Sequence, residues 1–309
     1  MKYCSSLLSP ALFAALLAVC PGCGDGSDAQ APRQALIVVS PHPDDESIFG
    51  AATIHRRAAD PNWYVRAIYI SGGDRATTPG DCNGIPEAQK IQSIVELRED
   101  ETRAAWQLLA PGRDVPIDFL RGPDQGLVAS STLVAGVRED TLTPAGASAL
   151  ERAVEIATQV PASVNDVLFL TASVYDSHPD HRVAYRATRR AADLLHHERH
   201  LGVSIWSWIV HDEIINLDPP FCCLGDIHWP SAGPVNDYAA LTDAPGRPRP
   251  PMWNRVEDAS DLLGLRHDAL AQHVSQVVGY PPLCMHVLNP SYLHRWQEKA
   301  EEPFYEEVL

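Results

Sequence analysis

Lysine is nearly missing from this chain. Of 24 basic residues only Lys2, Lys90 and Lys299 are lysines, and the arginines are scattered. Set against 40 acidic residues, this leaves a formal charge of −16. A nucleic-acid partner requires a basic face that neutralises phosphates, so none is expected. Beyond residue 31 no Cys-x-x-Cys pair occurs, which argues against a thiolate zinc site or a thioredoxin-type centre. No segment approaches the ~20 apolar residues of a membrane-spanning helix. What remains is ordinary for a chain that builds a core: 45% hydrophobic and 21% charged residues, too apolar for disorder. At 309 residues it is long enough for one large α/β domain.

The N-terminus reads as a targeting segment. Lys2 supplies a positive start, and Ala11–Val19 (ALFAALLAV) is the short apolar run of a signal peptide. Two exits are readable. Gly22-Cys23, followed by Gly-Asp-Gly-Ser-Asp, looks like a bacterial lipoprotein cleavage site with a flexible tether. Cys20 suits lipidation less, because Val19 and not a small residue precedes it. Ala29-Gln30-Ala31 would serve an ordinary signal peptidase. Residues 1–31 are therefore expected to be leader and tether, and 32–309 the folded domain. Export to the cell envelope is the consequence, as a lipoprotein anchored through Cys23 or as a secreted or periplasmic protein. In that compartment Cys82, Cys222, Cys223 and Cys284 could form two disulfides, their pairing open. Cys4 falls in the leader.

Apolar strands alternate with helical patterns along the rest. Ala35–Ser40, Trp63–Ile70, Ile117–Leu120, Val167–Thr171 and Val203–Val210 read as strands. The first and fourth are continuous apolar runs, as in strands buried on both faces of a parallel sheet. Helical periodicity fits Glu87–Leu109, Ala147–Val160, His181–His197 and Ala259–Val278. The alternation predicts an α/β fold, a Rossmann-like three-layer sandwich with a mostly parallel sheet in a single domain. The Pro- and Gly-rich stretch 217–251 reads as a long loop excursion.

Ligands of such sheets bind beyond the carboxyl ends of the strands, so the residues at those ends matter most. After the first strand comes Pro41-His42-Pro43-Asp44-Asp45-Glu46, and after the second Ser71-Gly72-Gly73-Asp74. The third leads to Arg121-Gly122-Pro123-Asp124, and the fourth to Ser177-His178-Pro179-Asp180-His181. Polar side chains, mostly acidic or imidazole, thus converge on one edge. His42, Asp45 and one histidine of the second motif supply two imidazoles and a carboxylate, the ligand set of a catalytic zinc with a position left for water. Zinc lowers that water's pKa toward ~7. Asp44 beside Asp45 could take the water's proton, and a further imidazole could stabilise an oxyanion.

PHPDDE followed far downstream by HPDH resembles the LmbE/PIG-L family of zinc-dependent N-acetylglucosaminyl deacetylases, over roughly Ala35 to His286. The resemblance implies His42, Asp45 and His181 as zinc ligands and Asp44 as general base. It implies His178 as the electrophilic or acid histidine, with Asp180 tuning it, and it decides between His178 and His181 where spacing alone does not. On the helix Glu87–Leu109, Arg98 points inward with Glu101 as a natural partner; the family has Arg-x-x-Glu here, whose arginine can contact substrate. Asp124 matches the family's Asp-Gly-like loop, which makes it a second candidate substrate contact. His273 lies in a stretch resembling the family's His-x-Ser-Gln helix, with a packing and hydrogen-bonding role. There are departures. Phe49-Gly50-Ala51-Ala52 replaces the family's Gly-Gly pair, and Ser177 its glycine before HPDH. The Tyr175-Asp176 pair displaces a tyrosine that some relatives use, so Tyr175 receives no catalytic role.

Weaker positions are His196, His197 and His200 at a helix end, His211-Asp212-Glu213 as pocket lining, and Trp229 or Trp253 as stacking surfaces for a sugar. The implied reaction is hydrolysis of an acetamide on an amino sugar or glycoconjugate, releasing acetate. A zinc amidase cleaving a non-acetyl amide is the alternative. A non-catalytic carbohydrate-binding lipoprotein is a second, and Asp44 argues against it, since binding alone needs no base.

Overall fold

Five consecutive apolar residues, Ala35–Val39, are fully buried, and this run makes β1 (Gln34–Ser40) the centre of a sheet. The computed structural model describes residues 31–74, 77–79, 86–134, 137–176, 178–208, 255–277, 285–287 and 301–309. β1 pairs in parallel with β2 (Trp63–Ser71) on one side and β7 (Asp166–Ala172) on the other. β4 (Ile117–Gly122) extends β2, and β8 (Gly202–Trp208) extends β7, both in parallel. Beyond β8 the direction reverses. β11 (Glu301–Val308) is antiparallel to β8, and β9 (Arg255–Asp258) is antiparallel to β11. The order is β4-β2-β1-β7-β8-β11-β9.

Alternate residues of β1 feed separate cores, as a pleated strand requires. Leu36 and Val38 pack with residues of α1 (Asp45–Phe49), α2 (Ala51–Ala59), α3 (Glu87–Leu109) and α6 (Leu263–Ala271). Ala35, Ile37 and Val39 pack with α4 (Pro144–Ala157) and α5 (Pro179–Arg199) on the opposite face. Helix, sheet and helix form the three layers expected, within a unit spanning Pro32–Leu309. A hairpin of β5 (Val128–Val134) and β6 (Val137–Leu142) comes after β4, and β3 (Thr77–Pro79) pairs with β10 (Met285–Val287).

Three departures from the sequence reading have physical causes. β9 and β11 have no apolar run: β11 reads EEPFYEEV, in which Glu302 and Phe304 are fully buried. Pro303 falls where β11 pairs with β9 and not with β8, so its missing N–H is tolerated. The helix expected over Ala259–Val278 is a 3₁₀ turn (Ser260–Leu262), then α6, then a separate α7 (Val274–Val277). The break at Gln272–His273 lets the His273 ring, fully buried, reach Ser47 of α1, just after the β1 loop. The β5–β6 hairpin, rich in exposed Ser and Thr, has no counterpart among the predicted strands. Residues 1–30, Cys82, Ser177, the 217–251 excursion, His211–Glu213, Cys222, Cys223, Trp229, Trp253 and Cys284 lie outside the described residues.

The topology fixes where a site can form. The chain leaves β1 for β2 on one side and later returns to β7 on the other, so the loops after β1 and β7 flank a switch point. Those loops, with the helix starts that follow them, carry His42, Asp44, Asp45 and Glu46 on one side and Asp176, His178, Asp180 and His181 on the other.

Glu302 joins the late strand to this frame. Its carboxylate accepts the N–H groups of Ala52 (2.7 Å) and Thr53 (2.9 Å), the Thr53 hydroxyl (2.6 Å) and Arg266 Nη2 (2.8 Å), all out of solvent. It caps the start of α2 and neutralises a buried guanidinium together. Glu302→Ala strands that charge and should cost about 3–5 kcal/mol of stability by urea unfolding. A loss under about 1 kcal/mol would show the contact to be dispensable.

Candidate active site

Ser40 ends β1 and donates its hydroxyl to the His42 carbonyl at 2.9 Å, starting the turn that delivers PHPDDE to the sheet edge. The His42 N–H in turn donates to Asp45 Oδ2 at 3.1 Å. Across the switch point, α5 begins with His178 as its cap and Pro179 in its first turn, a position that needs no N–H. His181, three residues on, falls on the same side of the helix start and is fully buried.

Three donor atoms meet there. His42 Nδ1 lies 3.3 Å from Asp45 Oδ2 and 3.2 Å from His181 Nε2, and the latter two are 3.6 Å apart. Tetrahedral nitrogen and oxygen ligands at ~2.0–2.2 Å from an ion are separated by about 3.4 Å, so this triangle fits such a centre. Two further trios come within reach, His42–His178–His181 and His42–Asp124–Asp180. The first triangle is preferred because both of its imidazoles are backed by carboxylates. His181 Nδ1 donates to Asp176 Oδ2 at 2.9 Å, and His42 Nε2 faces Asp124 Oδ1 and Asp180 Oδ2, each at 3.5 Å. Carboxylates behind the rings fix the tautomers and leave Nδ1 of His42 and Nε2 of His181 as lone-pair donors.

The electrostatics are consistent with a cation site. Burial alone would lower the pKa of His42, but Asp124, Asp180 and Asp45 outweigh it and hold the ring well above its ordinary value. His181, buried and beside His42, is pushed well below. Burial, reinforced by the adjacent Asp44, lifts the Asp45 carboxyl to about 7. Without an ion, a proton on His42 provides the positive charge that these carboxylates demand.

Asp44 and His178 flank the triangle. The Asp44 backbone sits at φ 155°, ψ −29°, a conformation that L-residues avoid and that concentrates at functional sites. Its carboxylate lies 3.7 Å from Arg98 Nη2. Burial raises its pKa against the pull of Arg98, toward the range useful to a general base. His178 Nδ1 accepts the Asp180 N–H at 3.3 Å, so Nε2 carries the ring proton, and Nε2 faces Asp124 Oδ1 at 3.8 Å.

Several expected contacts differ in detail. Asp180 meets His178 through its backbone N–H, while its carboxylate accepts the Gln125 N–H at 2.9 Å and faces His42. Arg98 is 1% exposed, with Nη1 donating to the Gly73 carbonyl and Nη2 to the Pro43 carbonyl at 3.0 Å. It lies beneath the loops of the site, and Gly73, at φ 62°, leaves room for it. Glu101 does not pair with Arg98; it accepts the N–H (2.7 Å) and hydroxyl (2.6 Å) of Ser275. Asp124 stands between His42 and His178. His273 bonds Ser47 (3.2 Å), and Gln276 Nε2 donates to the Pro43 carbonyl (2.8 Å), the packing and hydrogen-bonding role expected of that segment. His196 lies near His200 at the end of α5, where its Nδ1 meets the Leu201 carbonyl (3.2 Å), far along the helix from the triangle.

Asp176 receives no site role from the sequence alone, although an acidic residue five positions before a candidate ligand histidine, in a post-strand loop, is a usable signal. It also accepts the His178 N–H at 2.8 Å, and its carbonyl accepts Arg182 Nη1 at 2.9 Å. Asp176→Asn should weaken metal affinity about 10–100-fold in a chelator competition while the fold persists. Unchanged affinity would remove Asp176 from the centre.

The family model described as PIG-L, GlcNAc-PI de-N-acetylase, matches residues 37–192, half of the chain. Among solved structures, the N,N'-diacetylchitobiose deacetylase from Pyrococcus horikoshii is similar at 16% identity and a TM-score of 0.48, covering 91% of this chain and 87% of its own. GalB, the 4-carboxy-2-hydroxymuconate hydratase from Pseudomonas putida, is similar at 15% identity and a TM-score of 0.47, with coverages of 85% and 83%. A zinc-inhibited teicoplanin deacetylase, Orf2, is similar at 18% identity and a TM-score of 0.40, with coverages of 79% and 85%. By the family match, which takes in both the PHPDDE and HPDH motifs, this chain belongs to the PIG-L family.

Proposed function

We propose that the protein is a zinc-dependent hydrolase that removes the N-acetyl group from an N-acetylglucosamine-type amino sugar. The observation that carries this reading is the His42–Asp45–His181 triangle with Asp44 and His178 beside it, in a member of a de-N-acetylase family. Zinc held by His42, Asp45 and His181 supplies Lewis acidity that brings a water's pKa toward ~7.

The other residues divide the proton work. Asp44 accepts a proton from water as its oxygen attacks the acetamide carbonyl. His178, its proton on Nε2, donates a hydrogen bond to the developing oxyanion. The proton on Asp44 then passes to the departing amine as the C–N bond breaks, leaving acetate and a free amino sugar. Asp124 and Asp180 orient the imidazoles, and Arg98 holds the loop that carries Asp44. The leader makes an envelope or extracellular glycoconjugate the proposed substrate source, with the enzyme anchored at Cys23.

Metal analysis and acetate release over a panel of N-acetylglucosamine derivatives and non-acetyl amides test this. His42→Ala, Asp45→Ala and His181→Ala should lose zinc and activity together. Asp44→Asn should keep near-stoichiometric zinc and lose roughly 10²–10⁴-fold in rate. His178→Ala should keep zinc and lose roughly 10²–10³-fold. A metal-free Asp44→Asn protein, or one with the wild-type rate, would show the roles to be misassigned. Cys23→Ala should move the protein from the membrane to the soluble fraction; wild type already soluble with its leader intact would end the anchor proposal.

A further inference from the structure

Of the three carboxylates in Asp44-Asp45-Glu46, the reaction uses two. Glu46 is fully buried, and its side chain turns back on its own loop. Oε2 accepts the Asp44 N–H at 3.2 Å, and Oε1 accepts the Ser47 hydroxyl at 2.8 Å. With its hydrogen committed to Glu46, Ser47 Oγ accepts from His273 Nε2 at 3.2 Å, and that nitrogen lies 3.5 Å from Glu46 Oε1. The Tyr69 hydroxyl of β2 accepts Trp106 Nε1 of α3 at 2.7 Å, and burial together with the nearby Glu46 charge holds its pKa well above the ordinary value. Glu46 is thus held from its own loop and helix and from the break between α6 and α7.

We infer that Glu46 is a positioning residue for the reaction: it holds the Asp44 peptide in the unfavourable φ 155° conformation that sets the direction of the Asp44 carboxylate, beside Arg98 Nη2. The Asp44 carbonyl is already tied down, accepting the N–H groups of Ser47 (2.9 Å) and Ile48 (3.1 Å). The N–H side of the same residue depends on Glu46 and on the His42 carbonyl, at 3.1 Å. Remove the Glu46 carboxylate and, among the described residues, the His42 carbonyl is left as the one restraint on the Asp44 N–H against rotation of the preceding peptide toward an allowed φ. Because Asp45 comes directly after, the rotation must be absorbed locally, and Asp44 turns away while Asp45 stays bound to the His42 N–H. Glu46 therefore acts on turnover through Asp44 and leaves metal binding to Asp45.

The inference rests on Asp44 being the base, and the test separates the two. Glu46→Met, which keeps volume and removes both acceptors, is compared with Glu46→Gln, whose carbonyl can still accept the Asp44 N–H. In zinc-loaded protein the Met variant should keep its zinc and a KM within about twofold, and lose roughly 10²-fold in kcat. The Gln variant should recover most of that loss. In metal-free protein, hydrogen exchange of the segment 41–49 should accelerate in the Met variant, and its crystal structure should show Asp44 out of the φ 155° region. Native kcat in the Met variant, a loss confined to KM or to zinc content, or a Gln variant no better than Met would each overturn the inference. If the Met variant does not fold, Ser47→Ala removes the bridge between Glu46 and His273 and should lower kcat several-fold with zinc retained; an unchanged kcat overturns it equally. Absence of acetate release from wild type would instead count against the base role, while exchange and crystallography report on Glu46 without any substrate.

Discussion

Buried negative charge crowded around three imidazoles is the constraint on which this sheet edge depends. Asp44, Asp45, Asp124, Asp176 and Asp180 are each no more than 6% exposed, around three histidines. Carboxylates so placed cannot all ionise without a cation among them. The structure answers with a pocket of converging lone pairs, two from imidazoles and one from Asp45, at spacings that suit a tetrahedral ion. Burial raises the pKa of Asp44 and Asp45, for Asp45 with the added charge of Asp44, so the proposed base has a proton affinity increased by its surroundings.

Holding such a site requires that its loops not relax, since relaxation would separate like charges. Two layers of backbone contacts prevent it. Arg98 and Gln276 both donate to the Pro43 carbonyl, from α3 and α7. α7 is itself pinned to α3 by Glu101 on Ser275. On the other side, Arg182 clamps the Asp176 carbonyl while its Nε and Nη2 pair with Asp140 of the β5–β6 hairpin at 2.8 Å each. Both motif loops are thus fastened by arginines that lie beneath or just beyond them, and the guanidinium groups serve main-chain oxygens as much as charges.

The legible parts of this architecture are those written in short contiguous stretches. Ala35–Ser40 and Val167–Thr171 announce central strands because burial on both faces demands unbroken apolar runs, and the motifs beside them name the donors. The bounds of α3, Glu87–Leu109, are readable because a long amphipathic period leaves little room for another assignment. What escapes is long-range and polar. β11 shows four glutamates and a proline, and only its pairing with β8 and β9 makes it a strand. Arg98 faces inward as its period implies, but periodicity cannot tell a guanidinium aimed at ligand from one spent on the Gly73 and Pro43 carbonyls. The spacing of Asp176 from His181 hints at a pairing, and only the turn into α5 makes it definite, bringing them to 2.9 Å.

The start of α5 shows how few residues such a centre needs when one turn does several tasks. His178 caps the helix, and the N–H it accepts, from Asp180, leaves the ring proton on the nitrogen that faces outward to Asp124. Pro179 gives up no hydrogen bond in that first turn. Asp180, whose backbone sets the tautomer of His178, sends its carboxylate to the Gln125 N–H and His42, linking the β4 loop to the β1 loop. His181 completes the turn, its own tautomer set by Asp176 from the preceding loop. The positive end of the helix dipole lies at the same place and favours negative charge there. A hydrogen-bond donor at His178 Nε2 and a lone pair at His181 Nε2 are opposite requirements on chemically identical rings three residues apart. The helix start meets both by giving each Nδ1 a different partner, an N–H for one and a carboxylate for the other.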